Sequence, residues 1–236
     1  MDETDYRDIY VTGDDAFDFL QGQLSHDLRL LDERPNLSAA WCNPKGRVIA
    51  FLRVRIIDRG YALTLPGELC DSVSKRLTMF RFRAKVDFDD RDAKLSDLGW
   101  NGSASDWRRQ NLLAGVPDIR TAQSEEFTPH MLNLDLLDAL SLDKGCYTGQ
   151  EIVARTHFRG ATKRRMLLFT SAEPVTAGSA VFDGDRKIGD VVNAIDNTLL
   201  AVVPIASRDR PLHVENVALE AREMPYPIEQ EASARG

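Results

Sequence analysis

Cysteine is scarce in this chain of 236 residues, and the three cysteines, Cys42, Cys70 and Cys146, lie far apart. An odd number at wide spacing fits neither a disulfide framework nor a zinc knuckle, and it is typical of a reducing compartment. The acidic stretch Met1 to Asp5 is unlike the basic start of a secretory signal. No apolar run approaches the length that crosses a bilayer. These absences predict a cytoplasmic protein that has no membrane partner.

Sequence motifs that identify several common enzyme classes are also missing. The chain has no Gly-x-Gly-x-x-Gly fingerprint, no phosphate-binding loop, no His-Glu-x-x-His and no Gly-x-Ser-x-Gly. The four histidines, His26, His130, His157 and His213, are scattered along the sequence, so we predict no metal site. With 37 acidic against 30 basic residues, the net charge of −7 disfavours sequence-independent binding of nucleic acid.

Hydrophobic periodicity predicts an α+β region up to residue 160. Apolar residues recur every three or four positions, as in helices, at 14–24, 67–80, 106–113, 131–140 and 150–158. They alternate with polar residues, as in strands, at 48–56, 61–65, 84–88 and 93–98. The stretch 116–129 is polar and flanked by proline, which predicts a long functional loop.

After residue 160 the pattern changes to short strands separated by turn residues, which is typical of a small barrel or sandwich. These strands are predicted at 163–170, 179–182, 186–195, 199–205 and 212–219. We therefore divide the chain into three parts. They are an α+β region at 1–160, in which a division into two subdomains would fall near 90–115, a C-terminal module at 161–228 and a polar tail at 229–236.

A turn framed by Gly145 and Gly149 carries the strongest chemical signal. Such glycines permit a positive φ and a close approach of the backbone to a ligand. The turn leads into a predicted helix, whose first N–H groups point outward. Lys144 and the helix N-terminus would lower the pKa of the Cys146 thiol from the usual value of about 8.5. The turn therefore predicts a reactive or ligand-facing thiol, although a plain helix-entry turn with a buried cysteine explains the residues equally well.

Two basic features accompany this turn. Between Lys144 and Arg165 the only acid is Glu151, and this local reversal of charge would attract an anion such as a polyglutamyl tail, a phosphate or an RNA backbone. A solvated face with paired side chains is the alternative interpretation. Earlier in the chain, the segment 43–47 (Asn-Pro-Lys-Gly-Arg) is typical of a tight turn, and its two basic side chains would be able to line a pocket.

The segment Lys144-Gly145-Cys146-Tyr147-Thr148-Gly149-Gln150-Glu151 matches the Lys-Gly-Cys-Tyr-x-Gly-Gln-Glu signature of the YgfZ family. Further segments that resemble this family follow the same order along the chain, at 19–27, 43–47, 115–117, 127–134 and 152–164. The resemblance therefore covers most of residues 10–165. The remaining C-terminal residues match the family only in character.

This resemblance implies a fold, a ligand and partners. Members of the YgfZ family have the GcvT-like folate-binding fold of the glycine-cleavage T-protein, an α+β body closed by a small C-terminal β-barrel-like module around a central cavity. They are linked to the assembly or repair of iron–sulfur clusters in a subset of enzymes, including one that methylthiolates tRNA. The implied ligand is tetrahydrofolate or a related reduced folate. The implied partners are iron–sulfur enzymes or their assembly factors.

The resemblance also assigns candidate site residues. Cys146 is the motif thiol and Lys144 the motif lysine, and these two are the candidate catalytic residues. The residues expected to bind the cofactor are Gly145, Tyr147, Gly149, Gln150, Glu151, Arg155, Asn43, Lys45 and Arg47.

One departure from the aminomethyltransferase pattern concerns catalysis. That enzyme has a carboxylate, used in folate chemistry, where this chain has Ala50 and Phe51, and neither side chain can act as a general acid or base. We therefore expect folate binding without glycine-cleavage turnover. Two alternatives stay open at this point. One is a folate-dependent one-carbon transferase that uses Glu151 or Asp143 instead, and the other is an RNA-contacting module that uses the basic residues after position 143.

Overall fold

The computed structural model describes residues 5–159 and 162–228, which form a five-stranded sheet with helices and a closed six-stranded barrel. The sheet contains β1 (Tyr6–Thr12), β2 (Leu37–Cys42), β3 (Val48–Ile57), β4 (Gly60–Pro66) and β5 (Asp87–Asp92). The helices are α1 (Ala16–Gln21), α2 (Gly67–Phe80), α3 (Ala104–Leu113) and α4 (Gln150–Arg159). The barrel contains β6 (Arg164–Ser171), β7 (Ala180–Asp183), β8 (Arg186–Ile195), β9 (Thr198–Pro204), β10 (Leu212–Val214) and β11 (Val217–Ala221).

The sheet has the strand order β2-β3-β4-β1-β5, and every neighbouring pair is antiparallel. The predicted hairpin is confirmed, since β3 and β4 pair with Val54 opposite Leu63. The predicted apolar stripe of α2 is buried at Leu69, Val73 and Leu77. These side chains join residues of α1 and of the sheet in one hydrophobic core.

A second hydrophobic core connects the sheet to the barrel. Ala40 and Cys42 of β2 belong to it, whereas the alternating residues Ala39 and Trp41 belong to the first core. Because successive side chains of a strand point to opposite faces, the two cores lie on opposite faces of the sheet. The second core also includes apolar residues of the segment 112–139 and of the barrel strands β6, β8 and β9. The barrel is therefore packed against the sheet through the segment 112–139, which we call the connecting segment.

The predicted fold class, an α+β body followed by a barrel, is confirmed, but some predicted elements are wrong. The helix predicted at 131–140 is a series of turns, and Asn133 and Asp138 have φ values of 58° and 49°. A residue with positive φ breaks a right-handed helix, and asparagine and aspartate tolerate this conformation better than most residues. The apolar spacing that suggested a helix instead places Leu132 and Leu134 in the second core.

Other differences concern strands. The strand predicted at 93–98 is a 3₁₀ turn at Leu95–Leu98, and the predicted strand 84–88 is found three to four residues later, as β5. β5 is rich in aspartate and lies at the sheet edge, where charged side chains protect against edge-to-edge pairing. The predicted strand 212–219 is divided into β10 and β11 by a turn in which Glu215 has a φ of 50°. β1 and β2 were not predicted.

Along the sequence, all strands of the sheet precede residue 160, the predicted boundary, and all strands of the barrel follow it. Residues 160 and 161 and the polar tail predicted at 229–236 lie outside the described residues. The assignment of domains stays a prediction. Within residues 5–159 and 162–228, no helix has both the length and the apolar character that a bilayer-spanning segment requires.

Candidate functional site

The two turns that sequence analysis selected separately pack directly against each other. Gly46 and Gly149 have φ values of 70° and 84°, in the left-handed region that favours glycine. A Cβ atom on Gly149 would lie 2.6 Å from the carbonyl oxygen of Asn43. A Cβ atom on Gly46 would lie 2.9 Å from the side chain of Ile152 on α4. The residues 43–47 and 145–152 therefore form one unit, which we call the paired turns.

Asn43 organises the first of these turns and anchors it to the loop predicted at 116–129. Its Oδ1 accepts hydrogen bonds from the backbone N–H groups of Lys45 and Arg47, at 2.9 and 3.0 Å. Its Nδ2 donates to the carboxylate of Glu125 at 2.6 Å. Arg76 donates to the other oxygen of that carboxylate, also at 2.6 Å. The hydrogen bonds from Arg76 and then from Asn43 hold the pKa of Glu125 below its ordinary value.

The basic side chains of the first turn have different surroundings. Lys45 is exposed, while Arg47 is half-buried and donates to the backbone carbonyl of Glu126. Arg47 is therefore engaged with the loop, and Lys45 is the basic side chain of this turn that faces solvent. Both stay predictions as ligand-binding residues.

Lys144 is buried, with 5% of its surface exposed. Its ammonium group donates to the carbonyl oxygens of Leu24 and His26, at 2.6 and 3.0 Å. It also lies 5.2 Å from the centre of the Tyr147 ring, within the range of a cation–π interaction. Desolvation lowers the pKa of Lys144 to about 8. Lys144 therefore fastens the motif to the segment 24–26.

We expect the free energy of unfolding to rise with pH because of Lys144. The pKa of this amine is about 8 in the folded protein and 10.5 as its ordinary value, so between these pH values the unfolded chain binds a proton that the folded chain does not. Raising the pH in this window therefore favours the fold, by at most about 3 kcal/mol, and below it the cost of burying the ammonium group is fully present. Urea unfolding from neutral pH to about 10.5, compared between the intact protein and a Lys144→Met variant, measures this contribution as a difference, since the buried thiols of Cys42 and Cys70 act in the opposite direction above about pH 9 in both proteins. The variant should lack the contribution, and identical pH profiles for both proteins would contradict the prediction.

Cys146 is the exposed cysteine, whereas Cys42 and Cys70 are buried. Burial raises the pKa of both Cys42 and Cys70 to about 12. Tyr147, next to the exposed thiol, is buried, and desolvation raises the pKa of its phenol. The hydroxyl oxygen of Tyr147 has no hydrogen-bond partner within the described part of the chain. Cys146 thus presents its thiol to solvent, and its reactivity stays a prediction.

The two glycines of the motif differ in what they require. Gly149 has a positive φ and touches Asn43, as described above. Gly145 does not have a positive φ, and a Cβ atom on it would meet nothing within 4 Å. A positive φ, which the sequence analysis expected such glycines to permit, is therefore found at Gly149 and not at Gly145.

Most of the described charged side chains that follow the motif are paired with another side chain or with a backbone carbonyl. Gln150 begins α4, and on the next turns Glu151 and Arg155 form an exposed ion pair of 3.0 Å. Arg164 donates to a backbone carbonyl at 2.8 Å, and Arg165 binds a carboxylate through two hydrogen bonds. These contacts neutralise part of the positive charge that sequence analysis considered as an anion-binding surface.

A cavity of about 410 Å³ lies elsewhere, beside β3 and the connecting segment. Its lining residues are Arg34, Asn36, Leu37, Ser38, Phe51, Arg53, Trp107, Val116, Leu137 and Asp138. The Arg53 guanidinium lies 5.2 Å from the ring centre of Phe51 and 5.9 Å from that of Trp107. Arg53 also donates to the Ser38 hydroxyl. The cavity therefore has an aromatic wall against which a half-buried cation lies.

Within the described residues, the lining of this cavity includes none of the nine predicted cofactor-binding residues. Phe51, one of the two residues that stand where the expected carboxylate is missing, does line the cavity. Arg53 is the lining residue that has a local sequence signal, since it and Arg55 are the two charged residues of the otherwise apolar, largely buried strand β3. Trp107 and Asp138 come from separate segments and have no comparable local signal.

The segment 24–26 connects the motif to the cavity. The carbonyl of His26 accepts from Lys144, and the Nε2 atom of His26 lies 3.6 Å from the carboxylate of Asp138. Burial lowers the pKa of His26, so its ring is neutral at neutral pH. Asp138 in turn accepts a hydrogen bond from Arg34 at 2.5 Å, at the edge of the cavity. The motif and the cavity are thus linked by direct contacts.

The five-stranded sheet with its helices and the C-terminal barrel define a protein with the fold of the aminomethyltransferases of glycine cleavage. Glycine cleavage system aminomethyltransferase T from Bartonella henselae has this fold with a TM-score of 0.73, and the match covers 95% of this chain and 84% of that chain at 15% identity. The family model of the CAF17 C-terminal β-barrel domain matches residues 163–226, which contain all the barrel strands.

Curated proteins similar over nearly the whole chain place it more closely. The tRNA-modifying protein YgfZ of Klebsiella pneumoniae is 28% identical, over 93% of this chain and 90% of the relative. The YgfZ protein of Aliivibrio fischeri is 26% identical, over 96% and 92%. An uncharacterized protein of Haemophilus influenzae is 28% identical, over 95% and 97%. The resemblance to the YgfZ family that the motif indicates is confirmed.

Proposed function

We propose that this chain is a cytoplasmic folate-binding accessory protein that supports the assembly or repair of iron–sulfur enzymes, among them enzymes that methylthiolate tRNA. The similarity to tRNA-modifying YgfZ proteins supports the link to tRNA modification. The observation that carries the proposal is the cavity in which Arg53 lies against two aromatic rings. Its chemistry matches that of a reduced folate.

A pterin is a flat heterocycle with hydrogen-bond donors and acceptors on its edges. The rings of Phe51 and Trp107 offer stacking surfaces, and the hydroxyl of Ser38 and the carboxylate of Asp138 offer polar partners for those edges. A volume of about 410 Å³ lies in the range of sites that bind small molecules. Arg34 is partly exposed at the edge of the cavity, where a guanidinium suits the carboxylates of a folate tail.

The lining residues favour binding over aminomethyl transfer. Phe51 cannot replace a carboxylate as a general acid or base, and Arg53 keeps its proton at any physiological pH. The carboxylate of Asp138 is paired with Arg34 at 2.5 Å. The alternative carboxylates weighed for a one-carbon transferase, Asp143 and Glu151, do not line the cavity, and Glu151 is paired with Arg155. We therefore retain the accessory role over a transferase.

Cys146 has a separate role in this proposal. Its thiol is exposed, which suits contact with an iron–sulfur partner or its cluster. A single thiolate does not supply the four ligands that a cluster normally has, so any cluster contact at Cys146 is shared with the partner.

Tetrahydrofolate binding, measured anaerobically by calorimetry, tests the folate assignment. We expect saturable binding by the intact protein and at least about tenfold weaker binding by Trp107→Ala, since stacking on an aromatic side chain contributes about 1–3 kcal/mol. A Cys146→Ser variant should keep the affinity, because Cys146 does not line the cavity. The assignment fails if the folded intact protein does not bind, or if Trp107→Ala binds as tightly as the intact protein.

A further inference from the structure

Two histidines that are far apart in sequence meet beside one carboxylate. His130 and Asp135 lie in the segment of turns that follows Pro129, and His157 lies on α4. One ligand atom from each of the three side chains lies within 4.8 Å of the other two. The ring centres of the two histidines are 5.7 Å apart. The spacing of histidines along the chain predicted no metal site, but the fold creates this cluster.

The state of His130 is the second observation. Its side chain is buried, with 2% of its surface exposed, and neither ring nitrogen has a hydrogen-bond partner within the described residues. A buried polar atom without a partner costs about 1–3 kcal/mol. A ring of this kind that faces another histidine and a carboxylate has the arrangement of a metal ligand, because a metal ion takes the lone pair that no hydrogen bond uses.

We propose that His130, Asp135 and His157 bind a divalent transition-metal ion of the zinc class. Two imidazoles and one carboxylate are a ligand set that zinc accepts with a water molecule in the fourth position. Calcium and magnesium prefer oxygen ligands and do not fit a set with two nitrogens. Ligand atoms around a tetrahedral zinc ion lie about 3.3 Å apart, so the cluster has to close around the ion. His157 is exposed, and rotation of its ring would supply this closure.

Arg165 is the neighbour that shapes this site. It donates to both oxygens of Asp135, at 2.7 and 2.9 Å, and to the carbonyl oxygen of His130 at 3.0 Å. A carboxylate oxygen has a second lone pair, so Asp135 can bind an ion and keep Arg165 as its outer partner. The positive guanidinium repels a cation, so the affinity should be lower than in structural zinc sites. The bound ion would tie α4, which directly follows the motif turn, to the turns at 130–135.

Metal binding tests this proposal. The intact, untagged chain is first treated with a chelator to remove bound metal. Zn²⁺ is titrated by calorimetry and Co²⁺ by visible absorption, and we expect one saturable equivalent with the d–d bands of a nitrogen and oxygen site. His157→Gln should bind at least tenfold more weakly. Its fold, checked by circular dichroism, should be intact because His157 is exposed. His213→Gln, which removes a histidine outside the cluster, should bind like the intact chain.

Three results would overturn the proposal. The first is the absence of saturable binding by the intact chain. The second is equal affinity of the intact chain and His157→Gln. The third is an intense thiolate charge-transfer band of the cobalt form, since it would assign the ion to Cys146.

Discussion

Replacing Gly149 by alanine is expected to destabilise the protein by about 3 kcal/mol, because the new methyl group has no room and the backbone no longer suits the residue. The φ of Gly149 is 84°, and the Cβ atom would lie 2.6 Å from the carbonyl oxygen of Asn43 and 3.2 Å from the side chain of Cys42. These are backbone and buried atoms, which cannot swing aside as the end of a flexible side chain does. The paired turns would have to separate.

Gly145 supplies a matched control within the same motif. It does not need a positive φ, and a Cβ atom on it would meet nothing within 4 Å. Gly145→Ala should therefore change the free energy of unfolding by less than about 0.5 kcal/mol. Urea unfolding at one pH compares the two variants with the intact protein. Equal stability of Gly149→Ala and Gly145→Ala would show that the close contact between the paired turns is not present in solution.

Cys146→Ser is expected to lower the methylthiolated fraction of tRNA several-fold in bacteria that depend on this protein. Under the proposed function the exposed thiol meets the iron–sulfur partner, and serine cannot replace a thiolate as a nucleophile or as a ligand of iron. Mass spectrometry of digested tRNA measures the modification. Folate affinity should be unchanged, so the effect would separate the partner step from folate binding.

Cys70→Ser is the control for this experiment. The Cys70 thiol is buried and lies 3.0 Å from Asp90, where a serine hydroxyl can make the same hydrogen bond. We expect tRNA modification to stay close to that of the intact protein. If Cys146→Ser supports full modification at equal protein levels, the thiol has no part in the partner step, and the motif acts through the other residues of its turn.

Much of the site's chemistry is visible in the sequence because the motif is contiguous. The eight residues from Lys144 to Glu151 identify the family, and the turn around Asn43 was selected for its residue types. Their contact is a property of the fold, and so is the burial of Lys144 by the carbonyls of Leu24 and His26. The lysine was expected to act on Cys146, yet its ammonium group is held by the protein interior.

The sequence by itself determined the elements that depend on neighbouring residues: the hairpin of β3 and β4, the apolar stripe of α2 and the succession of barrel strands. Their periodicity follows from local geometry, in which each side chain's face depends on its position along the strand or helix. Only the tertiary structure decided the cavity, whose walls come from five stretches of the chain, and the meeting of His130 with His157. These sites depend on long-range packing. The local preference at 131–140 is for a helix, but Asn133 and Asp138 adopt a positive φ, and the resulting turns place Leu132 and Leu134 in the second core.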